Sequence, residues 1–113
     1  MLVGQSLAST EYPLEWGFGF DYNAWANGKE FKVDDTLGKF YGSDANLHDV
    51  VETNYDGYSS CSLTPNNILR PSWTVDANGQ AKYTFSNPGL VYLTSSMLGD
   101  CASNLKLAAN VQS

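Results

Sequence analysis

The chain has 113 residues, the length of one ordinary domain, and its 42% hydrophobic and 16% charged residues exclude a disordered chain and a coiled coil. Twelve acidic and six basic residues give a net charge of −6, which disfavours binding to nucleic acid or to anionic membrane surfaces. Three Trp, seven Tyr and five Phe favour strands over helices.

Short strand-like segments alternate with turn signals along the chain, which is typical of an all-β domain. We treat residues 1–113 as a single domain, in which residues 1–15 form an irregular segment or an N-terminal strand. The predicted strands are Glu30–Val33, His48–Glu52, Ser72–Val75, Ala81–Phe85, Gly89–Thr94 and Leu105–Val111.

Two short helical segments are predicted between the strands. In the first, Asp21–Ala26, the carboxylate of Asp21 caps the helix and Gly28 ends it. The second is a helical turn at Tyr55–Cys61. A hairpin turn is predicted at Asp76–Gln80, because its Asn-Gly pair tolerates positive φ.

The two cysteines, Cys61 and Cys101, leave three interpretations open: a disulfide, two free thiols, or one thiolate metal ligand. With a single His in the chain, they cannot build a tetrahedral zinc site without carboxylate ligands. A disulfide is favoured in a strand-rich chain of this size. It would close a loop of about 40 residues and contribute about 4 kcal/mol.

The sequence carries no recognisable targeting segment. Met1–Thr10 has neither a basic region nor a long apolar run, so it is not a signal peptide. No stretch approaches the ~20 apolar residues of a membrane-spanning helix. If the disulfide forms, we expect a mature chain whose signal has been removed, located outside the cell or in another oxidising compartment.

Four segments together resemble one family. They are Tyr22–Leu37, with its Trp-Ala-x-Gly-Lys-x-Phe run, His48–Glu52, Tyr58–Cys61 and Pro88–Val111. Their order and spacing are similar to those of the phytocyanin branch of the cupredoxins, which comprises secreted blue copper proteins and their copper-free relatives, the early nodulin-like proteins. The resemblance covers roughly residues 16–111. It implies a Greek-key β-sandwich of seven or eight strands with one or two short helices, and a disulfide between Cys61 and Cys101.

The sequence departs from the family pattern in several places. Asp34 stands where the family turn usually has Gly, and Gly38 interrupts what is usually a regular apolar strand, so it marks a bulge or a strand end. Residues 1–15 and Leu63–Pro71 match poorly.

The resemblance also implies where the copper ligands of the family would fall. A blue copper site needs two imidazoles, one thiolate and a weak axial ligand. The four positions correspond to His48, Ser95, Asp100 and Leu105. Only the first retains its ligand, so we expect no metal cofactor and regard copper as improbable at this site.

These residues allow two other interpretations, a different metal site and a catalytic triad. His48, Asp100 and Met97 would make a weak, mismatched metal site, so His48 is expected to be satisfied by Asp100 or by a backbone carbonyl. Ser95, Asp100 and His48 form a triad-like set, but no nucleophile turn accompanies them. The adjacent carboxylates Asp34 and Asp35 are interpreted as solvated.

The aromatic residues are the remaining candidates for function. A binding surface is predicted from Trp16, Phe18, Phe20, Tyr55 and Tyr58, suited to a sugar ring or a Pro-rich chain. The alternative for each aromatic side chain is core packing, which we expect for Trp25 and Trp73.

The favoured function is therefore a non-enzymatic extracellular or lumenal module that binds a protein or a cell-wall glycan, or serves as a subunit of a larger assembly. The first alternative is an electron-transfer copper protein with a non-standard site that uses His48. The second is a hydrolase that uses His48.

Overall fold

The structure, a computed structural model, describes residues 9–41, 48–74 and 83–113, with backbone alone at 39–41 and 71–74. In chain order, the strands and helices of this part are β1 (Glu11–Glu15), α1 (Tyr22–Ala26), β2 (Phe31–Lys32), β3 (Thr36–Tyr41), β4 (Asp49–Thr53), α2 (Tyr55–Ser60), β5 (Ile68–Thr74), β6 (Tyr83–Thr84), β7 (Gly89–Thr94) and β8 (Lys106–Gln112).

The strands form two sheets. One has three strands in the order β1-β3-β6, and the other has five in the order β2-β8-β7-β4-β5. The pairs β1–β3 and β2–β8 are parallel, and the remaining pairs are antiparallel. This arrangement confirms the predicted cupredoxin-like β-sandwich, with eight strands, two short helices and one disulfide in the described part.

The core lies between the two sheets because each sheet turns alternate side chains inward. Leu14, Leu37 and Tyr83 come from the smaller sheet, and Leu93 and Leu107 are among those from the larger one. The outward-facing neighbours on β7 and β8, such as Leu90 and Asn110, are exposed. The outer face of this strand pair is therefore exposed to solvent at these positions.

Helix α1 begins as predicted, because the Asp21 carboxylate accepts a hydrogen bond from the Ala24 N–H at 3.1 Å. Its first residue, Tyr22, is buried, and the hydroxyl donates to the Glu15 carbonyl at 2.8 Å while accepting from the Gly17 N–H at 3.0 Å. Burial raises the pKa of Tyr22 to about 12. The hydroxyl therefore stays neutral and ties the end of β1 to the helix.

Helix α2 also confirms the prediction and depends on a glycine. A Cβ at Gly57 would lie 1.9 Å from the hydroxyl oxygen of Thr53, so the helix can pack this closely on β4 only without a side chain there. The helix ends at Cys61, which has a left-handed backbone with φ of +58°. That turn directs Cys61 toward Cys101, and the two form a disulfide.

The turn after β2 corrects one expectation and explains one departure from the family. Asp34 has φ of +79°, a conformation that Asp adopts more readily than most residues, which accounts for Asp at a position that usually has Gly. Asp35 is not solvated: it is buried and accepts hydrogen bonds from the N–H groups of Thr10 and Lys32. The two carboxylates diverge, and only Asp34 faces solvent.

Most strand predictions hold to within one or two residues, with two differences. β3 was not predicted as a strand, and it contains a shift in register against β1 next to Gly38, whose φ is +144°, so Gly38 marks a bulge. β5 begins at Ile68, four residues before the predicted strand. The hairpin turn at Asp76–Gln80 lies outside the described residues, as does the side chain of Trp73.

Candidate functional site

The four positions to which the resemblance assigns the copper ligands meet at one end of the sandwich. His48 immediately precedes β4 and Ser95 immediately follows β7. These strands are antiparallel neighbours, with Val51 opposite Thr94, so the start of one lies beside the end of the other. Asp100 and Leu105 come from the connection between β7 and β8.

His48 is paired with Asp100. The Nδ1 atom of His48 donates to Oδ2 of Asp100 at 2.7 Å, and each residue is only 5% exposed. The ring of Phe18 stands edge-on to the imidazole, with the ring centres 4.9 Å apart. The expectation that Asp100 satisfies His48 is confirmed.

Ser95 joins this pair to a second buried carboxylate. Its Oγ lies 2.6 Å from Oδ2 of Asp100 and 3.0 Å from Oδ1 of Asp49. A hydroxyl has one proton to donate, so Ser95 bonds to one carboxylate at a time. Asp49 also accepts from the N–H of Ser96 at 2.6 Å and from the Ser96 hydroxyl.

These five residues form what we call the polar network: His48, Asp49, Ser95, Ser96 and Asp100. Four of them are buried, and Ser95 is fully shielded from solvent. Buried polar groups are costly without partners, and here each side chain has at least one partner from within the group. The network therefore acts as a closed, self-satisfied cluster.

The loop from β7 to β8 is fixed by its own backbone. The N–H of Asp100 donates to the Met97 carbonyl, and the N–H of Leu105 donates to the Asp100 carbonyl, both at 3.0 Å. Leu105 is 1% exposed and belongs to the core. Its side chain is a hydrocarbon, so it offers a metal no donor atom.

The donor chemistry of this cluster does not fit type 1 copper. Such a site takes two imidazoles and a thiolate, whereas here one imidazole stands with a hydroxyl, a carboxylate and a leucine. Within the described part of the chain, no group of three or more His, Cys, Asp or Glu side chains is arranged to hold a metal ion.

The arrangement does not fit a hydrolytic triad either. In a triad the imidazole lies between the nucleophile and the acid, so that it can remove the proton of the hydroxyl. Here Asp100 lies between Ser95 and His48. The Ser95 hydroxyl is bonded to carboxylates, which are weaker bases than the imidazole that a triad places there.

The predicted aromatic binding surface is wrong in one member. Trp16 is 1% exposed, and its indole Nε1 donates to the backbone carbonyl of Asp49 at 3.0 Å. Tyr12, Leu14 and Trp16 continue one inward-facing alternation along β1, and this period is the sequence signal that identifies Trp16 as a core residue. Trp25, expected in the core, is half-buried against it.

The other four aromatic side chains do not form one surface. Phe18 and Phe20 are exposed, with Phe18 lying against His48. Tyr55 is 60% exposed and follows the far end of β4. The five residues of β4 at about 3.3 Å each separate His48 from Tyr55 by about 16 Å. Tyr58 packs with Tyr55 and is half-buried.

Sequence reasoning missed several participants. Asp49 belongs to a recognised segment, but nothing in a single sequence shows that it bonds to Ser95 and Ser96, which are 46 and 47 residues away. Tyr92 and Lys106 were also missed, although both contact the tyrosines of α2. For Lys106 the alternation of β8 was the available signal, since it places this side chain on the outer face of the sheet. The consecutive apolar residues of β7 give no such signal for Tyr92.

The Asp49→Ala variant is expected to lose about 1–3 kcal/mol of unfolding free energy. The substitution leaves the Ser96 N–H without its acceptor, whereas the Ser95 hydroxyl keeps Asp100 as an acceptor. Urea denaturation of the purified variant measures the loss. The matched control is Asp49→Asn, which keeps Oδ1 as an acceptor and should lose less than half as much. Equal losses would show that the acceptor is unimportant.

Comparison with known proteins gives consistent matches. The family described as "Plastocyanin-like domain" matches residues 16–105. Uclacyanin-2 of Arabidopsis thaliana is 36% identical over 102 residues, which cover 88% of this chain and 46% of that protein. Early nodulin-like protein 16 of the same plant is 32% identical over 93 residues, covering 82% and 52%. The chain therefore spans about half the length of these relatives.

Among solved structures, spinach plantacyanin superposes with a TM-score of 0.70 and 27% sequence identity, covering 91% of this chain and 100% of the plantacyanin chain. This likeness agrees with the cupredoxin-like fold of the chain.

Proposed function

The chain belongs to the plastocyanin-like domain family, with phytocyanins as its relatives, and from this membership we propose that it is a copper-free phytocyanin domain that works as a non-enzymatic binding or structural module. Phytocyanins carry electrons through blue copper. The proposed role keeps the family's scaffold and disulfide without that chemistry.

The small number of histidine and free cysteine side chains in the chain supports the loss of copper. Type 1 copper requires a thiolate and two imidazoles. The sequence has two cysteines and one histidine, and both cysteines are joined in the disulfide. No thiolate remains for a metal unless that disulfide is reduced, and a second imidazole is not available from this chain.

The polar network supports the same proposal. The Nδ1 atom of His48 is held by Asp100, and the Ser95 hydroxyl lies between two carboxylates. A metal at this position would have to displace hydrogen bonds that already satisfy the buried groups. These satisfied hydrogen bonds therefore favour a state of the site without metal.

A non-enzymatic role follows from the same atoms. Relatives in this family are mainly electron carriers, and the Ser95–Asp100–His48 order does not provide a base for a nucleophile. The remaining functional capacity is binding. Exposed apolar side chains at the His48 end include Phe18, Met97 and Leu98. The exposed Tyr55 of α2 packs on Tyr92 of β7.

The proposed location is outside the cytosol. Phytocyanins are typically secreted or cell-surface proteins, and the disulfide is stable only in an oxidising compartment. In the described part of the chain, neither helix is long and apolar enough to cross a membrane. The partner in that compartment is a protein or a cell-wall glycan.

The test is copper retention by the natively purified, disulfide-bonded chain. Copper(II) is added, the sample is desalted, and metal content is measured together with the visible spectrum. We expect far less than one copper per chain and no intense visible band. Retention near one copper per chain would contradict the proposal and favour the alternative, an electron carrier with a non-standard site. His48→Gln would then be expected to abolish retention.

A further inference from the structure

A groove of about 600 Å³ runs between α1 and the outer face of β7 and β8. Its volume is in the range of small-molecule binding sites. Leu90 and Ala108 form an apolar floor, and helix α1 with the turn that follows it forms the wall. We call this feature the helix groove; it shares no lining residue with the polar network.

The helix groove is lined by three amide side chains, two of which have no hydrogen-bond partner among the described residues. Asn23, Asn27 and Asn110 line it, and all three are exposed. Among the hydrogen bonds of the described residues, none involves the side-chain amide of Asn27 or Asn110, so both are free to bind a ligand. An amide offers one acceptor and two donors, which matches the paired donor and acceptor character of sugar hydroxyls.

The charges at the helix groove are balanced and already engaged. The Asp21 carboxylate caps α1. The Lys29 ammonium donates to the Trp25 carbonyl at 2.8 Å and lies over the Trp25 ring. One positive and one negative group leave no net charge at the groove, while the whole chain carries −6. An uncharged ligand therefore fits better than an anionic one.

An aromatic cluster adjoins the groove. Tyr92 lies on the same outer face as Leu90, two residues along β7, and pairs across the sheet with Ala108. The rings of Tyr58 and Tyr55 pack on Tyr92 at 4.9 and 5.7 Å. The Tyr58 hydroxyl donates to Asn23 at 3.1 Å, which joins the cluster to the groove wall.

The rings of this cluster differ in how open they are. Tyr58 has the ammonium of Lys106 over it at 4.8 Å and Tyr92 beside it. Tyr55 is the most exposed ring, at 60%. Tyr92 and Tyr58 thus hold the Tyr55 ring in place. This ring is an accessible apolar surface near the helix groove and its asparagine side chains.

We propose that the helix groove and Tyr55 bind a neutral oligosaccharide, with the Tyr55 ring packing against a sugar face and Asn27 and Asn110 bonding to hydroxyls. An aromatic ring supplies apolar contact, and the free amides supply orientation. This assignment rests on the proposed binding function and narrows its partner to an uncharged glycan.

The experiment titrates the disulfide-bonded chain with three neutral β-linked hexasaccharides, of glucose, xylose and mannose, and with an oligogalacturonate as the anionic comparison. Binding is followed by calorimetry and by amide shifts in two-dimensional nitrogen–proton NMR. At least one neutral hexasaccharide is expected to bind and to shift the side-chain amide signals of Asn27 and Asn110. The oligogalacturonate is expected to bind at least tenfold more weakly.

Four variants locate the site. Tyr55→Ala and Asn110→Ala are each expected to weaken binding about three- to tenfold, the range for loss of one aromatic contact or one hydrogen bond. Tyr55→Phe keeps the ring and should retain binding. Leu98→Ala removes an exposed apolar side chain at the His48 end and should leave binding unchanged.

The assignment is overturned if no neutral hexasaccharide binds, if the oligogalacturonate binds best, or if the shifts and the variant effects fall at the His48 end. None of these outcomes bears on copper retention. A chain that holds no copper and binds no neutral glycan would lose this inference and keep the proposed copper-free state.

Discussion

Replacing Cys61 and Cys101 together by alanine is expected to lower the free energy of unfolding by about 4 kcal/mol. The disulfide joins residues separated by 40 positions, and closing a loop of that length removes conformational entropy from the unfolded chain. A domain of this size has a total stability of about 5–15 kcal/mol. The loss is therefore a large fraction of what holds the fold together.

The measurement is urea denaturation of the double variant beside the oxidised parent. Reduction of the parent by dithiothreitol is the matched control, because it removes the same covalent link without changing the side-chain volume greatly. The two should agree to within about 1 kcal/mol. A double variant as stable as the parent would mean that the reduced and unfolded chain retains structure that the loop-entropy argument leaves out.

The disulfide also has a local effect. Cys101 follows Asp100 directly, and Asp100 binds both His48 and Ser95. Lys106 donates to the Tyr58 carbonyl at 2.8 Å close to the same disulfide. The disulfide thus joins α2, which carries two rings of the aromatic cluster, to the loop that carries part of the polar network. Both features therefore depend on the same covalent link.

The predictions that succeeded concerned segments whose local signals agreed with their packing. Leu105–Val111 alternates between inward and outward side chains, and the structure places it in β8; Gly89–Thr94, rich in β-branched and aromatic residues, forms β7 beside it. Asp21 and Gly28 frame α1 as predicted, because capping depends on a few neighbouring residues. Such features are visible in one sequence.

The predictions that failed required distant partners. Asp35 reads as a surface turn residue, yet it is buried because it binds the N–H groups of Thr10 and Lys32. β3 was missed because Gly38 interrupts its pattern with a bulge, which only the pairing with β1 explains. Trp16 was assigned to a surface although the alternation of β1 already placed it inward.

The candidate site also has a part that the sequence predicted and a part that it did not. The resemblance supplied the four ligand positions, and the structure gathers them at one end of the sandwich. What fills the space there, a cluster of two carboxylates, two serines and one histidine, depends on contacts across 46 to 52 residues. The helix groove was invisible in the sequence because α1 and β8 supply its lining from opposite ends of the chain.

The triple variant Ser95→Cys, Asp100→His, Leu105→Met is expected to bind one copper(II) per chain and to show an intense visible absorption band. With His48, these residues restore two imidazoles, one thiolate and a weak thioether, the ligand set of blue copper sites. The backbone already brings the positions together, since the Ser95 N–H donates to the Leu105 carbonyl at 3.2 Å and His48 contacts the residue at position 100.

The matched control is the double variant Asp100→His, Leu105→Met, which keeps Ser95. Because the intense band comes from thiolate bonded to copper, this control should bind copper weakly and remain nearly colourless. Thiol titration must find one free thiol per chain in the triple variant, so that the new cysteine has not exchanged with the Cys61–Cys101 disulfide. A folded triple variant with one free thiol that retains no copper would show that the ligand positions do not correspond to those of the family. The polar network would then be a feature of this chain's own packing, and not the remnant of a metal site.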